Sequence, residues 1–224
     1  MNIAALIDHT ILKPTTTIGD IEKLCTEAVA YGFAAVCVPP PFVKRAATIL
    51  APTEVKTATV VGFPFGYSAT EAKVAETILA LVDGAQEIDM VINLIALRQQ
   101  DWAYLTKEVN LLREVCHNKG RLIKVIIESG ILTPEEIITC CEKLGALGID
   151  FMKTSTGYAE KGATIEAVTL MRKHLPAGVR IKASGGIRDY AFAKALVDAG
   201  AARLGCSASV AIATGAPDHQ LGNY

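Results

Sequence analysis

Three lysines stand where a buried strand should carry apolar side chains. Lys124 interrupts Leu-Ile-Lys-Val-Ile-Ile, Lys153 ends Ile-Asp-Phe-Met-Lys, and Lys182 sits in Val-Arg-Ile-Lys-Ala. Asp89, in Glu-Ile-Asp-Met-Val-Ile, breaks a fourth apolar run in the same way. Side chains alternate across a strand. Ile88, Met90 and Ile92 therefore share one face, opposite Asp89. Ile123, Val125 and Ile127 oppose Lys124, and Val179 and Ile181 oppose Lys182. Lys153 shares its face with Phe151 and Ile149. If the apolar faces meet a helix layer, the four ionisable groups point together into the other side.

That arrangement is costly. An ionised group in a low-dielectric interior costs several kcal/mol, about 20 by an idealised Born estimate, unless it is paired or neutralised. Two lysines on neighbouring strands repel when both are protonated. One then sheds its proton near neutral pH and becomes a nucleophilic amine. Such an amine converts a carbonyl to an iminium, which takes up the electrons of a breaking C–C bond as an enamine. A carboxylate beside the second lysine can move protons, through water if needed. The alternative is an Asp–Lys ion-pair network that only fixes the fold. The surplus of lysine favours chemistry, because unbalanced buried cations are a poor stability device.

Elements to position these groups are written along the whole chain. Apolar runs at 6–10, 34–38, 57–62, 87–92, 122–128, 149–153, 179–183 and 202–205 alternate with amphipathic stretches. Ile18, Ile21, Leu24, Cys25 and Ala28 fall on one face of a helix over 18–31. Ala72, Ala75, Ile78, Leu79 and Val82 do the same over 69–82. Pro134 opens a helix behind Thr133 as N-cap, and Asp189 caps 190–198. Gly32, Gly84, Gly120, Gly148 and Gly200 close helices. Strict alternation gives a parallel sheet with crossover helices. Eight strands in one domain spanning 1–224 predict a closed (β/α)8 TIM barrel; an open doubly wound sheet is the alternative. Active sites of such barrels lie at the C-terminal ends of the strands. The polar segment 215–224 reads as a loose extension.

Composition narrows the function class. The 224 residues are 51% hydrophobic with a formal net charge of −1, so no basic stripe points to nucleic acid. No run reaches the roughly 18 apolar residues of a membrane span. The six cysteines, Cys25, Cys37, Cys116, Cys140, Cys141 and Cys206, show no paired CxxC. With no basic n-region at the start, free thiols in a reducing cytoplasm are expected. No histidine-rich or carboxylate-rich cluster supports a metal.

Three turns after the last strands are rich in Gly, Ser and Thr: Lys153-Thr-Ser-Thr-Gly-Tyr158, Lys182-Ala-Ser-Gly-Gly-Ile-Arg188 and Gly205-Cys-Ser-Ala-Ser209. Such turns expose backbone N–H groups and precede helix N-termini, which suits a phosphate. Late-strand loops are the usual phosphate site of these barrels.

With these motifs in place, the chain resembles the 2-deoxyribose-5-phosphate aldolases, a class I aldolase family, over nearly its whole length. The resemblance is strongest at Leu6-Ile-Asp-His-Thr10, 87–93, 124–128, 150–157 and 181–188. It implies that Lys153 forms the Schiff base, that Lys182 lowers its pKa, and that Asp89 shuttles protons with Lys182 and a water. It implies that Asp8, Cys37, Lys124 and Thr154 line the sugar pocket. Gly157, Ser184, Gly185, Gly186, Arg188, Gly205 and Ser207 match the phosphate turns. The substrates implied are small phosphorylated sugars and aldehydes. 2-Deoxy-D-ribose 5-phosphate would be cleaved reversibly to acetaldehyde and D-glyceraldehyde 3-phosphate in deoxyribonucleoside catabolism, with no metal or other cofactor. A homodimer or a monomer is implied. Two departures bear on phosphate affinity: Tyr158 stands where some members have lysine, and Ala208 where a second serine is common. Tyr224, the last residue, matches a tail tyrosine that assists proton transfer in some members.

Plainer readings compete at several positions. Asp89 also reads as the counter-ion of Lys182, Cys37 as a small packing residue, and Asp8 as a turn cap. His9 faces away from Asp8 and reads as structural. Trp102 and Tyr104 read as packing residues. Glu87 and Glu128 either face the barrel or lie in water at strand ends. A Schiff-base enzyme acting on another sugar, and an idle barrel that only binds sugar phosphates, are the rival functions.

Overall fold

The computed structural model describes residues 2–215. Its strands are β1 (Ile7–Thr10), β2 (Ala35–Val38), β3 (Lys56–Val61), β4 (Glu87–Val91), β5 (Leu122–Ile126), β6 (Phe151–Lys153), β7 (Arg180–Ser184) and β8 (Arg203–Cys206). All neighbours pair in parallel, in chain order, and the sheet closes. The closing seam is β8 against β1, with Ile7 beside Leu204 and His9 beside Cys206. That seam settles the choice between barrel and open sheet.

The helices among the described residues are α1 (Ile18–Tyr31), α2 (Val43–Leu50), α3 (Thr70–Val82), α4 (Leu94–Arg98), α5 (Trp102–His117), α6 (Pro134–Gly145), α7 (Ile165–His174), α8 (Tyr190–Asp198) and α9 (Ser209–Thr214). Their starts follow from local chemistry. Thr17 and Asp20 form a capping box at α1, Thr133 and Glu136 another at α6, and the Asp189 side chain caps α8. At the other end of α1, Gly32 adopts the left-handed conformation that lets the chain turn back.

Most of the apolar core lies between barrel and helices. Ile88, Met90, Ile123, Val125, Met152 and Ile181 all belong to it. His9 also points outward, where its ring nitrogens meet Ser209 Oγ at 2.9 Å and Glu27 Oε2 at 2.8 Å, tying β1 to α1 and α9. Tyr104 is fixed by more than packing: its hydroxyl accepts from Thr70 at 3.1 Å.

One helix face is the reverse of the sequence expectation. The apolar stripe of α3 faces out, with Ile78, Leu79 and Val82 exposed, while Thr70, Lys73, Thr77 and Ala80 are buried. The cause is an ion pair. Lys73 Nζ lies 2.7 Å from Glu108 Oε1 of α5, and donates to the Val91 carbonyl at 2.8 Å. This pair turns the polar side of α3 inward. Tyr224 and nearly all of the extension expected at 215–224 lie outside the described residues.

Candidate active site

The barrel interior is built from side chains of alternate strand residues. From β4 come Glu87 and Asp89, from β5 Lys124, from β6 Lys153, from β7 Lys182, from β8 Arg203, and from β1 Asp8. Lys124 Nζ lies 2.6 Å from Glu87 and 2.7 Å from Asp89 Oδ1, with Asp8 at 3.6 Å. The other oxygen of Asp89, Oδ2, lies 2.8 Å from Lys153 Nζ and 2.7 Å from Lys182 Nζ. Lys182 also pairs with Asp8. Arg203 Nη1 holds Asp8 at 2.6 Å and Glu87 at 3.2 Å.

This network sets Lys124, Lys153, Lys182 and Arg203 against Asp8, Glu87 and Asp89, so it carries one cation in excess. It becomes neutral when one cation loses a proton. Arginine does not do so in proteins. Lys124 and Lys182 each hold more than one carboxylate, whereas Lys153 holds only Asp89. Burial pushes the Lys153 ammonium below the ordinary lysine range; Asp89 opposes the shift and Lys182 adds to it. Burial acts on Lys182 too, but Asp8 and Asp89 outweigh it and hold Lys182 above that range. Asp89 resists burial in the same way, kept well below the usual carboxylate range by Lys124, Lys153 and Lys182. The arrangement thus separates one amine inclined to be neutral from one held charged, with a carboxylate between them.

Around Lys153 the strand ends are locked together. The Thr154 hydroxyl donates to the Ser184 carbonyl at 3.3 Å and accepts from the Ser184 N–H at 3.0 Å. The Ser184 hydroxyl donates to the Ser155 carbonyl at 2.5 Å. Glu128, buried and at φ 54, accepts from both the N–H and the hydroxyl of Thr156. Burial raises the Glu128 carboxyl above its ordinary range, against those hydrogen bonds. Gly185, at φ 85, brings its backbone against Gly157 and Gly162: a Cβ there would lie 3.3 Å and 3.1 Å from their Cα atoms. Gly205 leaves room for Lys182, whose Cε would lie 3.1 Å from an added Cβ. The Ser155 hydroxyl is buried with no hydrogen-bond partner among the described residues, leaving a polar atom for a ligand.

Comparison with known proteins decides the family. The profile of the DeoC/LacD family aldolases matches residues 2–215. The chain belongs to that family. It is 50% identical over 218 residues to a deoxyribose-phosphate aldolase of Thermococcus gammatolerans, covering 96% of this chain and 97% of the relative. A deoxyribose-phosphate aldolase of Halalkalibacterium halodurans is 48% identical over 225 residues, covering 100% of this chain and 99% of the other. Among solved structures, the tetrameric deoxyribose phosphate aldolase of Aeropyrum pernix superposes with a TM-score of 0.89 at 31% identity, covering 95% of this chain and 89% of that one.

Within this DeoC/LacD aldolase, the structure brings Asp8, Asp89, Lys124, Lys153 and Lys182 into one buried cluster. Cys37 belongs to the apolar wall of the barrel, and burial pushes its thiol up to about 11. Ser184, Gly157, Gly185 and Gly205 meet at the ends of β6 to β8. Gly186, Arg188 and Ser207 are exposed, and Ser207 lines a recess with Thr10, Leu12 and Lys13. Arg203 is missing from the sequence reading. The alternation rule reaches it, since Arg203 and Gly205 oppose Leu204, but a four-residue strand hid the pattern. Glu87 proves to face the barrel, and Glu128 is buried rather than bathed in water.

Proposed function

We propose that this chain is a metal-independent class I aldolase that reversibly cleaves 2-deoxy-D-ribose 5-phosphate to acetaldehyde and D-glyceraldehyde 3-phosphate. The observation that carries the reading is Asp89 Oδ2, held within 2.8 Å of both Lys153 and Lys182. Family membership supports it.

In this reading, neutral Lys153 attacks the C1 aldehyde of the open-chain sugar, and loss of water gives an iminium. Asp89, with Lys182 and a water, takes the proton of the C3 hydroxyl. The C2–C3 bond breaks, its electron pair moves into the enamine, and glyceraldehyde 3-phosphate leaves. The same groups return a proton to C2, and hydrolysis of the new iminium frees acetaldehyde and Lys153. Asp8, Cys37, Lys124 and Thr154 shape the chamber. Thr154 does so chiefly by fixing β6 to β7, because its hydroxyl is engaged on both counts with Ser184. The turns at Gly157, Ser184, Gly185, Gly186, Arg188, Gly205 and Ser207 take the phosphate, and Tyr224 serves proton transfer.

A reducing cytoplasm is the proposed compartment, supported by six free, buried cysteines. No helix among the described residues is long and apolar enough to cross a membrane. A homodimer covering Ile78, Leu79 and Val82 suits the apolar surface left open on α3. The activity is tested by incubating the purified chain with 2-deoxyribose 5-phosphate in excess chelator and following acetaldehyde. Steady release supports the proposal; no release above a heat-killed blank defeats it.

A further inference from the structure

We propose that Tyr158 is the gate of the barrel, swinging aside to admit a carbonyl substrate to Lys153 and selecting substrates by their bulk. The proposal rests on the aldolase reading for its substrate. Its geometry stands apart from that reading.

Tyr158 leaves the chain after β6, yet its contacts lie across the barrel. Its hydroxyl donates to the Leu12 carbonyl, after β1, at 2.9 Å. Its ring meets Phe63, after β3, edge-on with centroids 5.5 Å apart. In a closed ring of eight strands, β1 and β3 each stand three strands away from β6. The side chain therefore spans the mouth instead of following its rim. Beneath it, Lys153 is 2% exposed and Lys182 and Asp89 are wholly buried. A substrate needs a way in, and the groups to be displaced are the ones that cross the mouth.

The segment is built to let that one side chain move. Thr156 is pinned by Glu128 on one side. On the other, Gly130 and Gly162 pack against the Lys161 and Gly185 backbones so closely that a Cβ would come within 2.1 Å and 2.3 Å of carbonyl oxygens. Ala163 N–H adds bonds to Ser184 and Gly185. Between these anchors lie residues 157–160, with Gly157 at φ 91 immediately before Tyr158. Tyr158 is itself 41% exposed, and its latch is a single neutral hydrogen bond, easily exchanged for water. The wall beyond it is apolar, made of Leu12, Cys37, Ala58 and Val60 with Phe63 against them. A displaced ring can fold back over the chain of a bound aldehyde against that wall.

Cys37 reports access independently of catalysis, because it lies in the inner wall while the other five thiols belong to the outer core. The wild type, Tyr158→Phe and Tyr158→Ala are labelled with iodoacetamide and with N-phenylmaleimide, and each cysteine is followed by peptide mass mapping. Loss of the latch in Tyr158→Phe should speed labelling of Cys37 about five-fold, the weight of one neutral hydrogen bond. Tyr158→Ala should exceed that, with the larger gain for the bulkier reagent. Borohydride trapping at Lys153 should likewise shift in Tyr158→Ala toward phenylacetaldehyde over acetaldehyde. Unchanged Cys37 labelling in both variants overturns the gate, and so does equal acceleration at all six cysteines, which would mean general loosening. A wild type that traps no aldehyde counts against the aldolase reading instead, and the Cys37 rates still judge the gate.

Discussion

The protein buries lysine in two places, and the contrast separates structure from chemistry. Outside the barrel, Lys73 of α3 faces Glu108 of α5. Its other hydrogen bond goes to the Val91 carbonyl, and the second oxygen of Glu108 accepts from the Asn93 N–H at 2.9 Å. Charge is balanced, one against one, and each oxygen of Glu108 has its own donor. Inside the barrel, four cations share three carboxylates, and Lys153 is held by a single oxygen that Lys182 also claims. Burial lowers the pKa of both Lys73 and Lys153. Only Lys153 has a second cation at the same oxygen and lies under a mouth that a side chain can open. A buried lysine that completes a pair positions the fold; one left over is available to react.

The largest effect is expected at Lys153. Lys153→Ala should lower turnover by about 10⁴-fold or more, as expected for a lost nucleophile, and should abolish the reducible adduct. Residual turnover within tenfold of wild type would place the amine elsewhere. A smaller effect, about 10²- to 10³-fold on kcat/KM, is expected for Lys182→Met, in the range of a lost acid–base partner. The sign of its pH shift is the sharper readout. Lys182 disfavours the charged form of Lys153, so its removal raises the Lys153 pKa and moves the acid limb of the kcat/KM profile to higher pH. A limb that stays in place would show that burial alone keeps Lys153 neutral.

Lys73→Met tests the other side. Leaving Glu108 buried and unpaired should cost about 3–5 kcal/mol of stability in urea unfolding, while turnover per folded molecule stays within about threefold. Adding Glu108→Leu should recover part of the loss. A large fall in turnover of the folded single variant would mean that this pair belongs to the reaction as well.

Much of the inner cluster was legible in the sequence because a strand forces alternation. Lys124, Lys182 and Asp89 each stand opposite an apolar face that the helix layer demands, and that opposition names their direction. Arg203 obeys the same rule but sits in a strand too short to display it. Helix α3 misled for the opposite reason. A lysine on a helix ordinarily reads as solvent-facing, and Ile78, Leu79 and Val82 offered a better apolar stripe than the face that is buried. Only Glu108, thirty-five residues on, explains why Lys73 turns inward. The reach of Tyr158 to Leu12 was likewise invisible, since it depends on the ring of strands bringing β1 and β6 loops together.

What sets Lys153 apart among the buried lysines is the combination of an amine inclined to be neutral and a place beneath the mouth, where a carbonyl can reach it. That combination is tested by incubating the wild type with acetaldehyde at a series of pH values, reducing with borohydride, and mapping the adduct by mass spectrometry. A two-carbon adduct is expected on Lys153 and none on Lys73, Lys124 or Lys182, with a yield that falls as pH drops and the amine takes up its proton. An adduct on Lys182, or none on Lys153 at any pH, would contradict this.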